Sequence, residues 1–493
     1  MSEVKKLAGQ TLIYGLGTII PRFMHYAVMT PFYTRIFYNE LGQYGVITEL
    51  YAWMAILLVL LTYGMETGFF RFAQKREDYE RVYSTAIISL FLTSVLFIIM
   101  MNIFIGPVSA LMNYKNNHDY IRMFSIIVAI DAFTAIPFAK LRKENRPGIF
   151  SAIKIANVLI TISLVVFLLK LAPGIWEKSR GWFRNVYNPD YKVGYVFVAN
   201  LISSVCTLII LLPFIFRIRL KFDSGLWYRM ITYSFPLLLA GLSGTINDAL
   251  DKVILRRMIG DADGLATVGK YGAGYKIGVL MALFIQMFRF AAEPFFFERA
   301  KHSDAKKTYG EIMKYFIIIM LIVFLFINLY ISGFKYIIAY SYREAIIVVP
   351  IISMAYLLYG IYINHSIWYK LNDMTIYAVY ISLIGALTTV LINVIFIPGY
   401  GYLASAWAHI ASYGSMIVLS FVFAEKRYKV SYNMKQYIPY FVIAVAMVAF
   451  SKYFKYSGIG AELFINSVFM LFFIGFAQYR DKLVTVFFSR KLK

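Results

Sequence analysis

The residues of this sequence that could do chemistry are ionisable groups set inside long apolar runs. Arg22 and His25 stand three apart within 8–32, and Asp248, Asp251 and Lys252 cluster in a second segment. Asp131, Lys154, Lys276, Arg289, His365 and His409 stand singly. On insertion scales a charge at the centre of a bilayer costs about 3 kcal/mol, so each of these needs a partner or water. Arg22 directly follows Pro21, and a proline can open a helix and turn the next side chain toward a cavity. Its planar guanidinium suits phosphate oxygens; equally, it suits a carboxylate on a neighbouring helix or a snorkelling position. Lys276 is a lone cation expected to face an aqueous lumen. Asp248 and Lys252 are four apart, which predicts a local salt bridge and leaves Asp251 for another partner or for proton coupling. His25 is either a group that titrates near neutral pH or a hydrogen-bonded packing residue. Asp131 is the acidic candidate of the first half. Cations outnumber acids among these positions, so a cavity they share is expected to be positive and to favour an anionic cargo.

The elements that must position these groups are membrane spans. Of the 493 residues, 60% are hydrophobic and 15% charged, with a mean hydropathy of +0.67, which leaves too little polar surface for a soluble domain. A helix crosses a hydrocarbon core with about 20 apolar residues. Runs such as 87–105 and 317–331 are too long and too uniformly apolar for the alternating strands of a membrane barrel. The pattern predicts fourteen helices near 8–32, 44–67, 83–105, 119–139, 149–171, 194–216, 231–253, 267–290, 312–333, 346–367, 375–397, 402–423, 437–455 and 461–479. The first span is expected to act as an uncleaved insertion signal. Cys206 is the single cysteine, which excludes an intramolecular disulfide and a thiolate cluster within one chain. No metal-ligand spacing, Walker-type loop or Gly-x-Ser-x-Gly elbow is present, so no metal and no cofactor are expected, and transport is not powered by ATP hydrolysis in this chain.

The net charge of +23 is expected to serve membrane topology and anionic lipids, not nucleic acid. With both termini in the cytoplasm, basic clusters such as Arg71, Lys75, Arg76 and Arg81, then Lys140, Arg142, Lys143 and Arg146, then Arg299, Lys301, Lys306 and Lys307, fall on the inside. The outside segment 172–193 is the exception and reads as amphipathic and surface-lying. A faint repeat is also visible. A stretch from Tyr14 leads to Arg35-Ile36 and Gly42-Gln43-Tyr44-Gly45, and one from Tyr233 leads to Arg257-Met258 and Gly269-Lys270-Tyr271-Gly272. It suggests two pseudo-symmetric six-helix bundles, 1–216 and 231–423, joined by a cytoplasmic linker 217–230 and surrounding a central lumen. Two additional helices (437–479) and a basic cytoplasmic tail (480–493) follow.

Several segments carry a resemblance. Tyr33-Thr34-Arg35-Ile36 through Tyr44-Gly45, Gly64-Met65-Glu66-Thr67-Gly68-Phe69-Phe70-Arg71-Phe72 and Ile136-Pro137-Phe138-Ala139-Lys140-Leu141-Arg142 are three of them. Tyr233-x-x-Pro236, Asn247 through Asp251-Lys252, Val268-Gly269-x-Tyr271, Tyr275-Lys276 and Glu293-Pro294-Phe295 are the others. In order and spacing they resemble the polysaccharide-unit flippases of the multidrug/oligosaccharidyl-lipid/polysaccharide exporter superfamily, over about residues 10–300. The resemblance implies a fourteen-helix, all-α integral membrane fold that alternates between inward and outward openings, with a polyprenyl-pyrophosphate-linked oligosaccharide as cargo. The lipid II flippases' Arg-Glu-rich first helix and Pro-Asn motif are absent. So is the acidic first-helix residue of many drug exporters.

The function expected is that of a non-enzymatic flippase in a bacterial inner membrane, moving an undecaprenyl-pyrophosphate-linked repeat unit outward for O-antigen, capsule or exopolysaccharide assembly. Arg22, Arg71, Lys154, Lys276 and Arg289 are the expected head-group contacts, and Asp131, Asp251 and His25 the ion-coupling candidates. Membrane lipids and other polysaccharide-assembly proteins are the expected partners, and a monomer suffices. The rivals are a drug or cation exporter, which needs an acidic lumen, and a membrane glycosyltransferase or polymerase, which needs a larger extramembrane loop.

Overall fold

The computed structural model describes residues 17, 19–74, 79–216, 221–300, 302–372, 374–428, 432, 434–454 and 456–483. Of the positions named above, Tyr14, Lys75, Arg76, Lys301, the tail beyond 483 and the side chains of Glu293 and Pro294 lie outside that description. Every regular element among the described residues is helical. Ten helices are long and apolar enough to cross a membrane, and an eleventh span is formed by a pair bent by 43°, Asp263–Gly278 with Leu280–Arg289. The expected span 267–290 is therefore broken at Val279 and not continuous. The other three expected spans are the partly described 8–32 and two helices that carry more charge or polar ends, Ser224–Ile259 and Met434–Tyr453.

The helices that position the site are α1 (Thr30–Ile36), α2 (Leu41–Thr62), α3 (Met65–Phe72), α4 (Tyr79–Ile103), α5 (His118–Lys143), α6 (Pro147–Val166) and α7 (Gly194–Ile215). After these come α8 (Ser224–Ile259), α9 (Asp261–Gly278), α10 (Leu280–Arg299), α11 (Ala305–Leu329), α12 (Val349–His365), α13 (Ile376–Tyr400) and α14 (Tyr402–Arg427), then α15 (Met434–Tyr453) and α16 (Ile459–Asp481). α8 begins inside the expected linker. Asp223 caps it by accepting the Leu226 amide at 2.8 Å, which together with Arg81 holds that carboxyl below the usual carboxylate range. Ahead of α1, His25–Met29 forms a π-turn. Pro31 supplies the reason: it has no amide hydrogen to donate back, so the preceding turn widens.

One group of helices packs around α5, with α2, α4 and α7 against it and α6 against α7. A second group packs α13 between α8 and α14, α12 against α14, and α11 against α12, with α15 and α16 on α11. The outward stripe Leu383, Leu387, Leu391 and Ile395 on α13 is about half exposed, a face suited to hydrocarbon and not to water. The groups meet where α2 crosses α9, and here the faint sequence repeat acquires a meaning. A Cβ on Gly45 would sit 1.9 Å from the Leu265 carbonyl oxygen, and one on Gly269 would sit 2.4 Å from that of Leu41. The two Gly-x-Tyr-Gly segments thus form a close helix crossing, backbone against backbone, which only a small residue permits.

Two faces follow from the alternation of helices. One carries the ends of α3, α5 and α7 and the starts of α4 and α8, tied by Arg142 to Glu66, Arg81 to Asp223, and the Tyr79 hydroxyl to Glu144. This is the basic face. The other, the far face, carries the junction of α1 and α2, where Tyr342 donates to the Phe37 carbonyl at 2.9 Å and the Ala339 amide donates to Thr34 at 3.2 Å.

Candidate functional site: a central cationic cavity

A cavity of about 400 Å³ lies between the two groups, lined from the segment around α1, α2, α8, α9 and α12. Arg22, His25 and Lys276, far apart in sequence, meet on its wall together with Asp248 and Lys252. The π-turn matters here, because it carries His25, Tyr26 and Met29, all three in the lining. Arg22 is exposed and donates to the Gln286 Oε1 of α10 at 2.9 Å, a neutral partner that leaves its charge uncompensated by that contact. The Lys276 ammonium lies 4.5 Å from the centre of the Tyr26 ring, whose face attracts a cation without neutralising it. Three cations (Arg22, Lys252, Lys276) and one carboxylate (Asp248) line this space, Lys252 being paired with the buried Asp251 behind the wall. The cavity is accessible at Arg22 and closed at its far end, where Tyr33 is only 2% exposed.

A second cavity of about 210 Å³ lies within the first group and shares the walls Tyr51 and Ala55 with the central one. Asp131 faces it among Asn157, Thr161, Asn200, Ser203 and Ser204. The Asp131 carboxylate accepts one hydrogen bond, from Ser204 at 3.0 Å, and is exposed to the space. Lys154, on α6, sits 3.9 Å from the Phe138 ring centre and interacts electrostatically with Asp131; it is not in the lining of either cavity.

The acidic cluster of α8 departs from its expected pairing. Lys252 donates to Asp251 Oδ1 at 2.8 Å and to the Asp248 backbone carbonyl at 2.7 Å, so the Asp248–Lys252 salt bridge is replaced by one between neighbours. The reason is tertiary. The Asp248 carboxylate is taken by phenols from other helices, Tyr413 of α14 and Tyr356 of α12, the latter at 3.3 Å. Asp251 is fully buried and also accepts from Tyr271 at 2.8 Å and meets His409 Nε2 at 3.1 Å. It lines neither cavity.

Two further candidates lie elsewhere. Arg71 is exposed on α3, its guanidinium 5.9 Å from the Tyr233 ring centre. Arg289 lies one helical turn beyond Gln286 on α10, outside the described lining of the central cavity. One buried pair is absent from the candidates drawn from the sequence. Glu49 of α2 and Arg256 of α8, 2% and 3% exposed, form an ion pair across the two groups, supported by the Tyr114 hydroxyl on Glu49 at 2.7 Å. Glu49 lies within the expected span 44–67, and an acid at that depth was signal enough to single it out.

The arrangement defines a class: a polytopic helical membrane protein with a charged cavity between two helix groups. A family model described as polysaccharide biosynthesis protein matches residues 7–299, and the chain belongs to that family. The fold is shared with the lipid II flippase MurJ in an inward closed conformation, at TM-score 0.64 and 13% identity over 96% of this chain and 98% of that one. It is shared too with an inward-facing multidrug resistance MATE family transporter of the MOP superfamily, at 0.61 and 17% over 85% and 94%. A MOP superfamily transporter from Pyrococcus furiosus gives 0.58 and 15% over 85% and 96%. No curated protein sequence matches the chain.

Proposed function

We propose that this protein flips an undecaprenyl-pyrophosphate-linked oligosaccharide repeat unit across a bacterial inner membrane, for a surface polysaccharide such as O-antigen or capsule. The observation that carries the reading is the charge of the central cavity, where Arg22 and Lys276 outnumber Asp248 while Lys252 is balanced by Asp251. In a low-dielectric surround such a wall attracts a diphosphate and repels a cationic drug. Arg22 and Lys276 hold the head group, Arg289 and Arg71 meet it on the approach from the basic face, and the prenyl chain stays in lipid. With the basic face and both termini in the cytoplasm, the cavity loads from the inside while the α2–α9 crossing and the Glu49–Arg256 pair close the far face. Rocking of the halves 1–216 and 231–423 then opens that face. Asp131, with an accessible carboxylate beside a shared wall, is the group we assign to ion coupling, with His25 in the cargo cavity and Asp251 in a structural role.

The test is where lipid-linked oligosaccharide accumulates in the host lacking this gene, read in spheroplasts with a membrane-impermeant glycosidase. Wild-type protein is expected to restore outward display. Arg22→Ala is expected to leave the oligosaccharide on the inaccessible leaflet, with the protein inserted and abundant. Normal outward display in the deletion strain would overturn the cargo; normal display with Arg22→Ala would remove Arg22 from the mechanism.

A further inference from the structure

At one edge of the molecule the two helix groups meet along a seam between α4 and α8. Residues spaced four apart line it on both sides: Thr85, Ser89 and Thr93 on α4, and Asp223, Trp227, Ile231 and Phe235 at the start of α8. Near the basic face the seam is closed. Arg81 pairs with Asp223, the Asp223 amide donates to the Thr85 hydroxyl at 3.3 Å, and the Ser84 hydroxyl donates to the Lys221 carbonyl at 2.8 Å. Further along both helices it opens into a groove of about 220 Å³, lined by Tyr63, Thr93, Trp227, Ile231 and Phe235.

Every polar side-chain group of that lining is spent inside the protein, on the buried Ser89 behind the wall. Trp227 Nε1 donates to the Ser89 hydroxyl at 2.7 Å, and the Tyr63 hydroxyl shares a hydrogen bond with it at 2.6 Å. Thr93 donates to the Ser89 carbonyl at 3.1 Å. An occupant therefore meets ring faces and methyl groups, which suit a hydrocarbon chain and offer nothing to a sugar or a phosphate. Trp227 and Phe235 stand eight residues apart, about 12 Å along the helix, so the groove runs with a chain lying along α8. Its rim faces lipid, since Leu92 and Leu96 of α4 and Leu239 of α8 are exposed. The groove shares no lining residue with the central cavity or with the cavity at Asp131.

The closed end of the seam carries the complement for a charged head group. Lys221 is exposed and in no ion pair among the described residues, and Arg81, although paired with Asp223, is 60% exposed. We infer that the seam binds one anionic phospholipid of the leaflet bordering the basic face, with an acyl chain in the groove and the phosphate at Lys221 and Arg81. Trp227 stands between the two parts, its ring toward the chain and its N–H turned in to Ser89. A cargo held at Arg22 starts from a separate cavity, so the groove goes to a second lipid and not to the cargo's own chain. Because α4 belongs to one helix group and α8 to the other, the bound lipid ties the groups together at this edge. The site does not depend on which cargo is carried.

The test is lipid retention by the purified full-length protein, read by native mass spectrometry with phosphatidylglycerol, phosphatidylcholine or undecaprenyl phosphate added. A phosphatidylglycerol carrying a diazirine in one acyl chain maps the contact. Wild type is expected to retain phosphatidylglycerol more tightly than phosphatidylcholine, and the label is expected on the peptides that hold Thr93 and Trp227 through Phe235. Ile231→Trp, which fills the groove with another apolar side chain, is expected to weaken retention by about tenfold. Lys221→Glu leaves the groove intact and is expected to weaken phosphatidylglycerol by about fivefold or more, with phosphatidylcholine unchanged. Leu387→Trp, on the outward stripe of α13, is the control and is expected to change neither. Unchanged retention in either seam variant, or a label as strong on the α13 stripe as in the groove, would reduce the seam to ordinary lipid contact and overturn the site. Tighter retention of undecaprenyl phosphate than of phosphatidylglycerol would give the groove to a prenyl chain and overturn the phospholipid assignment.

Discussion

Asp131 and Asp251 are both aspartates set deep in apolar helices, and the protein treats them in opposite ways. Asp251 has no exposure and three side-chain partners, Lys252, Tyr271 and His409, from α8, α9 and α14. Asp131 has one hydrogen bond, from Ser204, and faces open space among amides and hydroxyls. A buried carboxylate whose oxygens are all engaged is a fixed structural charge, because any change of state would strand its partners. A carboxylate with free oxygens beside a cavity can take up an ion or a proton without breaking the fold. The difference separates what holds the second helix group together from what can change state in the first.

The comparison can be broken hardest at Asp251. Asp251→Leu leaves Lys252 buried without its counter-charge, and a loss of about 3–5 kcal/mol is expected in unfolding measured in detergent. Adding Lys252→Met should recover most of it, since removing both charges relieves the stranded one; no recovery would mean that the pair is not the unit that matters. A smaller effect is expected from His409→Leu, about 1–3 kcal/mol, because one hydrogen bond to Asp251 goes while Lys252 and Tyr271 remain. Smallest in stability is Asp131→Asn, expected to cost about 1 kcal/mol, since the amide keeps the Ser204 contact and only the attraction of Lys154 is lost. Its effect should appear instead in flipping by proteoliposomes, as lost dependence on an imposed ion gradient. A collapse in stability with Asp131→Asn would place the two aspartates in the same class and end the contrast.

Much of this was legible before any coordinates. Hydropathy alone located the spans, because a chain in hydrocarbon must close its backbone hydrogen bonds within each helix. Arg22, His25 and Lys276 were legible as candidates for the same reason, each being a charge or a titrating ring where one is costly. The chain's own spacing misled at Asp248 and Lys252. Four residues apart on one helix they should pair, but Tyr356 and Tyr413, 108 and 165 positions away, claim the carboxylate first. Glu49 and Arg256, 207 positions apart, could be joined only by the fold.

The sequence by itself determined that this is a helical membrane protein with more cations than acids among the ionisable groups of its spans. Those properties are set residue by residue, by the cost of moving each group out of water. Only the tertiary structure decided which charges share a cavity and which are consumed by partners. It also showed that the two Gly-x-Tyr-Gly segments pack on each other, with Gly45 and Gly269 against opposing carbonyls. Such facts depend on distances between helices distant in the chain, and no local pattern of residues encodes them.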